Sequence, residues 1–145
     1  MSEIERLWGD FLLPIRDALH FPDGHSYDVT LAPETSRGLQ ILAPFDLNAM
    51  LASDPNWTSS VDGLNELDLE GSGFLWAGEG SYGSEGFIAR LTIDRTLVWA
   101  IFFEESNPFQ EIRLSGTTAT FTSTSGIDIT LNIDDPRNPI PDHPS

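Results

Sequence analysis

The chain of 145 residues contains no cysteine. That removes disulfides, thiolate zinc sites and cysteine nucleophiles together, and is compatible with a reducing compartment. It contains no lysine either: the seven basic residues are all arginine, against 23 acids, for a formal net charge of −16. Histidine is scarce, at His20, His25 and His143. Their spacing forms no paired-histidine motif, and the calcium loop pattern D-x-D-x-D-G is absent. No metal and no cofactor are expected. No apolar run approaches the roughly 20 residues of a membrane helix. The opening MSEIERLWGDFLLP is acidic and amphipathic rather than signal-like. A cytoplasmic location is the expectation, and the triplet Asn56-Trp57-Thr58 is read as a chance match to a glycosylation site.

The excess of acid then has to be explained. A surface this negative repels nucleic-acid phosphate and anionic membranes, and attracts basic proteins. Nucleic acid and membrane are therefore excluded as partners, and a basic protein is expected. Solubility and a salt-rich host are the competing explanations of the charge.

Along the chain, Ser2 followed by Glu5 makes a capping-box pattern. Ile4, Leu7, Trp8, Phe11, Ile15 and Leu19 recur at steps of three and four. The spacing predicts a helix over about residues 3–19, kinked or broken near residue 13 by Pro14, with Trp8 and Phe11 in the core. Pro22, Asp23 and Gly24 predict a turn. SYDVTLA and GLQILA read as strands, and PFDLNAMLASD as a short helix with Pro44 in its first turn. From residue 61 the pattern is β: LNELDLE, GFLWAG, FIARLTID, LVWAIFFE, EIRLSG, TATFTST and IDITLNID, joined by short connections. Links this short cannot make parallel crossovers, so the strands form an antiparallel meander. The expected fold is α+β: a helical N-terminal segment on a curved antiparallel sheet of six to eight strands. It occupies residues 1–135, followed by a proline-rich, extended tail, 136–145.

LVWAIFF is apolar on both sides, with Leu97, Trp99, Ile101 and Phe103 on one and Val98, Ala100 and Phe102 on the other. A helix and a curled sheet would cover the two faces, the sheet would close toward a barrel, or Val98, Phe102 and Ile88 would form an exposed patch.

GEGSYGSEGF, residues 78–87, matches the G-x-G-x-x-G spacing of a dinucleotide loop. That loop needs a helix after it, whose N-terminus holds the pyrophosphate. Here a strand follows, and Glu79 and Glu85 would oppose a phosphate. The reading is a hairpin loop whose glycines take positive φ. Asn107-Pro108-Phe109, which matches a short trafficking peptide motif, reads as a tight turn. No hydrolase constellation emerges: G-x-S-x-G is absent, and with this many acids some carboxylate pair meets any separation by chance.

The expected function is a non-catalytic, acidic protein-binding module, of the kind that inhibitors and bacterial immunity proteins provide against a basic partner such as a toxin. Its expected contact residues are Glu66, Asp68, Glu70, Glu79, Tyr82, Glu85, Glu104 and Glu105. Glu66, Asp68 and Glu70 would line one strand face, and Tyr82 would be a rigid aromatic contact at the loop centre. The alternative is a small-ligand-binding or enzymatic curved-sheet or barrel domain, with Trp76 and Trp99 lining a cavity. A homodimer, through edge strands or the Phe102 face, is a third reading.

Overall fold

The computed structural model describes residues 1–140; the end of the tail, 141–145 with His143, lies outside the described residues. In chain order the elements are α1 (Glu3–Gly9), β1 (Leu12–Pro14), β2 (Ala18–His20), β3 (Ser26–Ala32), β4 (Gly38–Phe45) and α2 (Leu47–Ser53). They continue as β5 (Thr58–Ser60), β6 (Asp62–Asp68), β7 (Phe74–Glu79), β8 (Gly86–Leu91), β9 (Leu97–Phe103), β10 (Phe109–Ser115), β11 (Thr118–Ser123) and β12 (Asp128–Asn132).

The capping box forms: the Glu5 amide donates to Ser2 Oγ at 3.3 Å and the Ser2 amide to Glu5 Oε1 at 2.9 Å. The helix it starts is shorter than its apolar stripe. It ends at Gly9, a poor helix former, and Phe11 adopts φ 55° while its amide donates to Trp8 O at 2.9 Å. A left-handed residue just past the last turn is a common helix stop. Ile15 and Leu19, which continued the period, lie after β1 and in β2 respectively. Pro14 also lies in a strand, β1, rather than at a helical kink. Pro44 likewise belongs to β4, and α2 begins three residues later, capped by Asp46 Oδ1, which accepts from Ala49 N at 3.1 Å.

Seven strands form one antiparallel sheet in the order β4-β3-β2-β9-β8-β7-β6. The meander β6 to β9 is extended on its β9 edge by the early strand β2. The strands β10-β11-β12 make a second antiparallel sheet, and β1 pairs with β5. The seams between the larger sheets are nearly closed. Thr130 N donates to Arg37 O at 2.9 Å on one side, and Asn65 Nδ2 to Gln110 O at 3.0 Å on the other.

Three layers result, and they explain the doubly apolar strand. Between the two sheets lie Leu75, Ile88, Trp99, Ile101 and Phe103, facing Phe109, Ala119, Phe121, Ile129 and Leu131. On the outer face, Phe87, Ala89, Ala100 and Phe102 pack under Ile4, Leu7 and Trp8 of α1 and Leu47 and Leu51 of α2. Ile88 and Phe102 are fully buried, so they form neither an exposed patch nor a dimer face. An irregularity in the β8–β9 pairing between Arg90 and Leu91 shifts the alternation at the start of β9. Leu97 consequently joins the helix side and Val98 the inter-sheet side, the reverse of simple alternation. Ile93, the last apolar residue of FIARLTID, stands exposed in the turn before β9.

The glycine-rich segment joins β7 to β8, and a strand begins at Gly86 where a dinucleotide loop would need a helix. None of Gly78, Gly80, Gly83 and Gly86 has positive φ, contrary to expectation. Close approach is the reason at three of them: a Cβ on Gly78 would run into the Asp62 carbonyl, one on Gly80 into the Glu85 side chain, and one on Gly86 into the Asn107 carbonyl. At Asn107, φ is 63° and Phe109 is buried, so the Asn-Pro-Phe segment is a turn returning to the core.

Candidate functional site

The structure separates the expected contact residues into two groups, one at each end of the large sheet. Glu66 and Asp68 lie on β6 opposite Trp76 and Phe74 of β7, and share their face. Glu70 is not in the strand. It turns at φ 53° beyond the end of β6, and its amide donates to Asp68 Oδ1 at 2.8 Å. The row of three carboxylates is therefore a row of two.

At the opposite end are Glu79, half-buried at the end of β7, and Tyr82, 65% exposed at the loop tip. Glu85 is only 3% exposed; it accepts from Ser59 Oγ at 2.5 Å and from Tyr82 N at 3.3 Å. It anchors the loop from inside and presents no surface to a partner. Glu104 and Glu105 are exposed just after β9. Partial burial, reinforced by Asp17, Glu85 and Glu105, pushes the Glu104 carboxyl above its ordinary range. Burial likewise raises Asp17, although its Oδ1 accepts from the Glu104 amide at 2.7 Å.

At the Glu66 end lies a feature that sequence reasoning missed. Trp8, Gly9, Phe11, Trp76, Leu91 and Arg95 enclose a cleft of about 320 Å³. Its rings meet edge to face: Trp8 and Trp76 are 5.8 Å apart at 83°, and Phe11 and Trp76 6.0 Å apart at 68°. Trp76 lies against the backbone at Gly63, where a Cβ would collide with the indole. Phe11, expected in the core, is 53% exposed. Arg95 forms the polar wall. Its guanidinium lies 4.3 Å over the Phe74 ring and donates to both oxygens of Glu66, at 2.7 and 3.1 Å. The sequence signal for Phe11 is the Gly9-Asp10 pair, which stops the helix before the ring can join the buried stripe. Arg95 carries no such signal, because its partner Glu66 is 29 residues away.

Trp99 does not share this cleft. It is fully buried between the sheets, with its indole N–H donating to Ile133 O at 2.9 Å, while Trp76 is on the other face. The cavity lined by both tryptophans therefore does not form. His20 is also enclosed. Its Nδ1 lies 2.8 Å from Ser26 Oγ, its Nε2 has no partner, and burial reinforced by the Arg16 charge lowers its pKa to about 3. It is neutral at physiological pH and out of reach of a substrate. Among the described residues no group of three or more His, Cys, Asp or Glu is placed to hold a metal, and no helix is long and apolar enough to cross a membrane.

The cleft can take up a flat apolar group, and its walls hold no nucleophile or general base. No protein-family model matches the chain, and no curated protein and no solved structure matches it.

Proposed function

We propose that this chain is a non-catalytic binding module that neutralises a basic protein partner, in the manner of an inhibitor or immunity protein against a toxin. One observation carries the reading: six of the seven arginines are paired with carboxylates of the same fold. Arg6, Arg16, Arg90, Arg95, Arg113 and Arg137 bridge Glu3, Asp28, Asp134, Glu66, Asp128 and Asp135. The seventh, Arg37, donates to the Pro136 carbonyl. Most carboxylates are left without an arginine partner, and the net charge of −16 is displayed outward. Such a surface speeds encounter with a basic partner and fixes its orientation, in a salt-dependent way.

The contact residues are the members of the two groups that reach the surface: Glu66, Asp68 and Glu70 at one end, and the half-buried Glu79 with Tyr82, Glu104 and Glu105 at the other. The test is capture from the source lysate on the immobilised chain, washed at about 50 mM and about 0.5 M salt. A basic protein is retained at low salt and released at high salt. The variant combining Glu66→Gln, Asp68→Asn, Glu104→Gln and Glu105→Gln retains less of it. Recovery of no partner, or only of partners indifferent to salt, removes the reading.

A further inference from the structure

We propose that the aromatic cleft is the anchor pocket of this interface, receiving one uncharged aromatic side chain that the basic partner carries between arginines or lysines. The inference rests on the binding-module reading and gives that surface a centre.

The walls define the occupant. Trp8, Phe11, Trp76 and Leu91 offer mainly apolar surface, and the one charged wall, Arg95, is already held by both oxygens of Glu66 and by the Phe74 face. No unpaired charge stands among these walls; a cation drawn to the ring faces would meet the Arg95 guanidinium, and an anion would find no counterpart. A ring would, because rings already set edge to face extend the same arrangement to another. The volume of about 320 Å³ lies at the lower limit of small-molecule sites, which suits one ring system better than an extended cofactor.

Phe11 supplies the second observation. Its φ of 55° is a conformation that bulky residues rarely adopt, and half of its ring remains in water. A glycine or asparagine would end α1 there without strain. The phenylalanine stands where it is strained and only half-buried, and what its ring supplies is a wall of the cleft. Strain of this kind concentrates at binding sites.

The rim gives the partner its charge. Asp10 and Asp94 flank Phe11 and Arg95 in the chain and are exposed, and Asp68, which has no arginine partner, shares the face of Trp76. An aromatic anchor in a desolvated pocket, ringed by complementary charge, is the usual form of an interface hot spot.

The test uses the intact chain, labelled with ¹⁵N, and follows its four indole N–H resonances. The probes are N-acetyl-tryptophanamide and the blocked tripeptides Arg-Trp-Arg, Arg-Ala-Arg and Glu-Trp-Glu. Trp57, held to Ile15 O at 2.9 Å, and Trp99, buried between the sheets, are internal controls. Arg-Trp-Arg is expected to shift Trp8 and Trp76 saturably and to leave the controls unmoved. At about 20 mM salt it binds about tenfold more tightly than Glu-Trp-Glu or Arg-Ala-Arg, and the gap over Glu-Trp-Glu closes at about 0.5 M salt. Phe11→Asn, its folding checked by unchanged Trp57 and Trp99 signals, loses about tenfold in Arg-Trp-Arg affinity. If that variant does not fold, the probes on the unaltered chain decide alone.

Trp8 and Trp76 unmoved by every tryptophan probe overturns the pocket while leaving the basic-partner reading standing. Equal binding of Arg-Ala-Arg and Arg-Trp-Arg does the same, since charge then acts without an anchor. Equal affinity for all three tryptophan probes makes the cleft a neutral ring site, and overturns the claim that a basic partner fills it.

Discussion

Three of the seven arginines are held in one way, with the guanidinium over an aromatic ring and its nitrogens on a carboxylate. Arg16 lies 3.8 Å over Phe45 and bonds both oxygens of Asp28; Arg95 lies over Phe74 with Glu66; Arg137 lies 4.1 Å over Phe21 with Asp135. A planar fork can do both at once and an ammonium cannot, which gives the absence of lysine a structural use at these positions. Arg16→Lys is therefore expected to lower stability by about 0.5–1 kcal/mol in urea titrations, the scale of a half-exposed cation–π contact. An unchanged midpoint would show the stacking to be idle. His20 makes a sharper case. Its pKa is near 3 when folded and ordinary when unfolded, so between these values the unfolded state binds the extra proton. The stability that the neutral ring contributes is present above the unfolded pKa and is lost as pH falls toward 3. The slope is at most about 1.4 kcal/mol per pH unit. His20→Leu should flatten that part of the profile, whatever its effect at neutral pH. A slope that stays the same in the variant would assign the acid sensitivity elsewhere.

At the level of elements, β9 carries the fold because each of its faces meets a different layer. Phe102→Ala empties a fully enclosed site under α1 and α2, and should cost about 3–5 kcal/mol, enough to threaten folding. A loss under about 1 kcal/mol, read from the urea midpoint, would mean that the helices are not seated on that strand. Strands such as β12 were legible because alternation records a buried face directly: Ile129 and Leu131 point in, Asp128 points out. The two-faced run in β9 showed that two covers were needed without saying which, since that depends on where distant elements return. The helix over 3–19 failed for a related reason. The stripe from Ile4 to Phe11 is helical in spacing, yet Ile15 and Leu19 keep the period by coincidence. The backbone they need is supplied by β5 and β9, through pairs such as Leu13 with Ser59 and Leu19 with Ile101. The site divides in the same way. Glu66 and Asp68 could be placed on one strand face from sequence. The cleft could not, because Trp8, Trp76 and Arg95 come from three separate elements and meet only after the sheet has formed.

For the molecule as a whole, the balance of charge decides how salt acts on stability. The ion pairs are mostly exposed, and such pairs contribute between nothing and about 1 kcal/mol each, a gain that salt erodes. Against them stands self-repulsion among the unmatched carboxylates of a chain at −16, which salt relieves. Glu104 shows the repulsion locally: its carboxyl is raised by burial and by Asp17, Glu85 and Glu105 together. A raised carboxyl contributes stability below its unfolded pKa, and that contribution is lost as pH rises through the folded value. Glu104→Gln should therefore stabilise the chain at pH 7 by a few tenths of a kcal/mol, with the advantage vanishing in mild acid. The same reasoning, extended over the whole surface, sets the sign of the salt effect. Six ion pairs weaken and many more like-charge contacts are screened, so the urea midpoint should rise between about 10 mM and about 0.5 M sodium chloride. A midpoint that falls with salt would mean that the internal arginine bridges outweigh the repulsion. The acidity would then be part of what holds the fold together, rather than a charge carried for a partner.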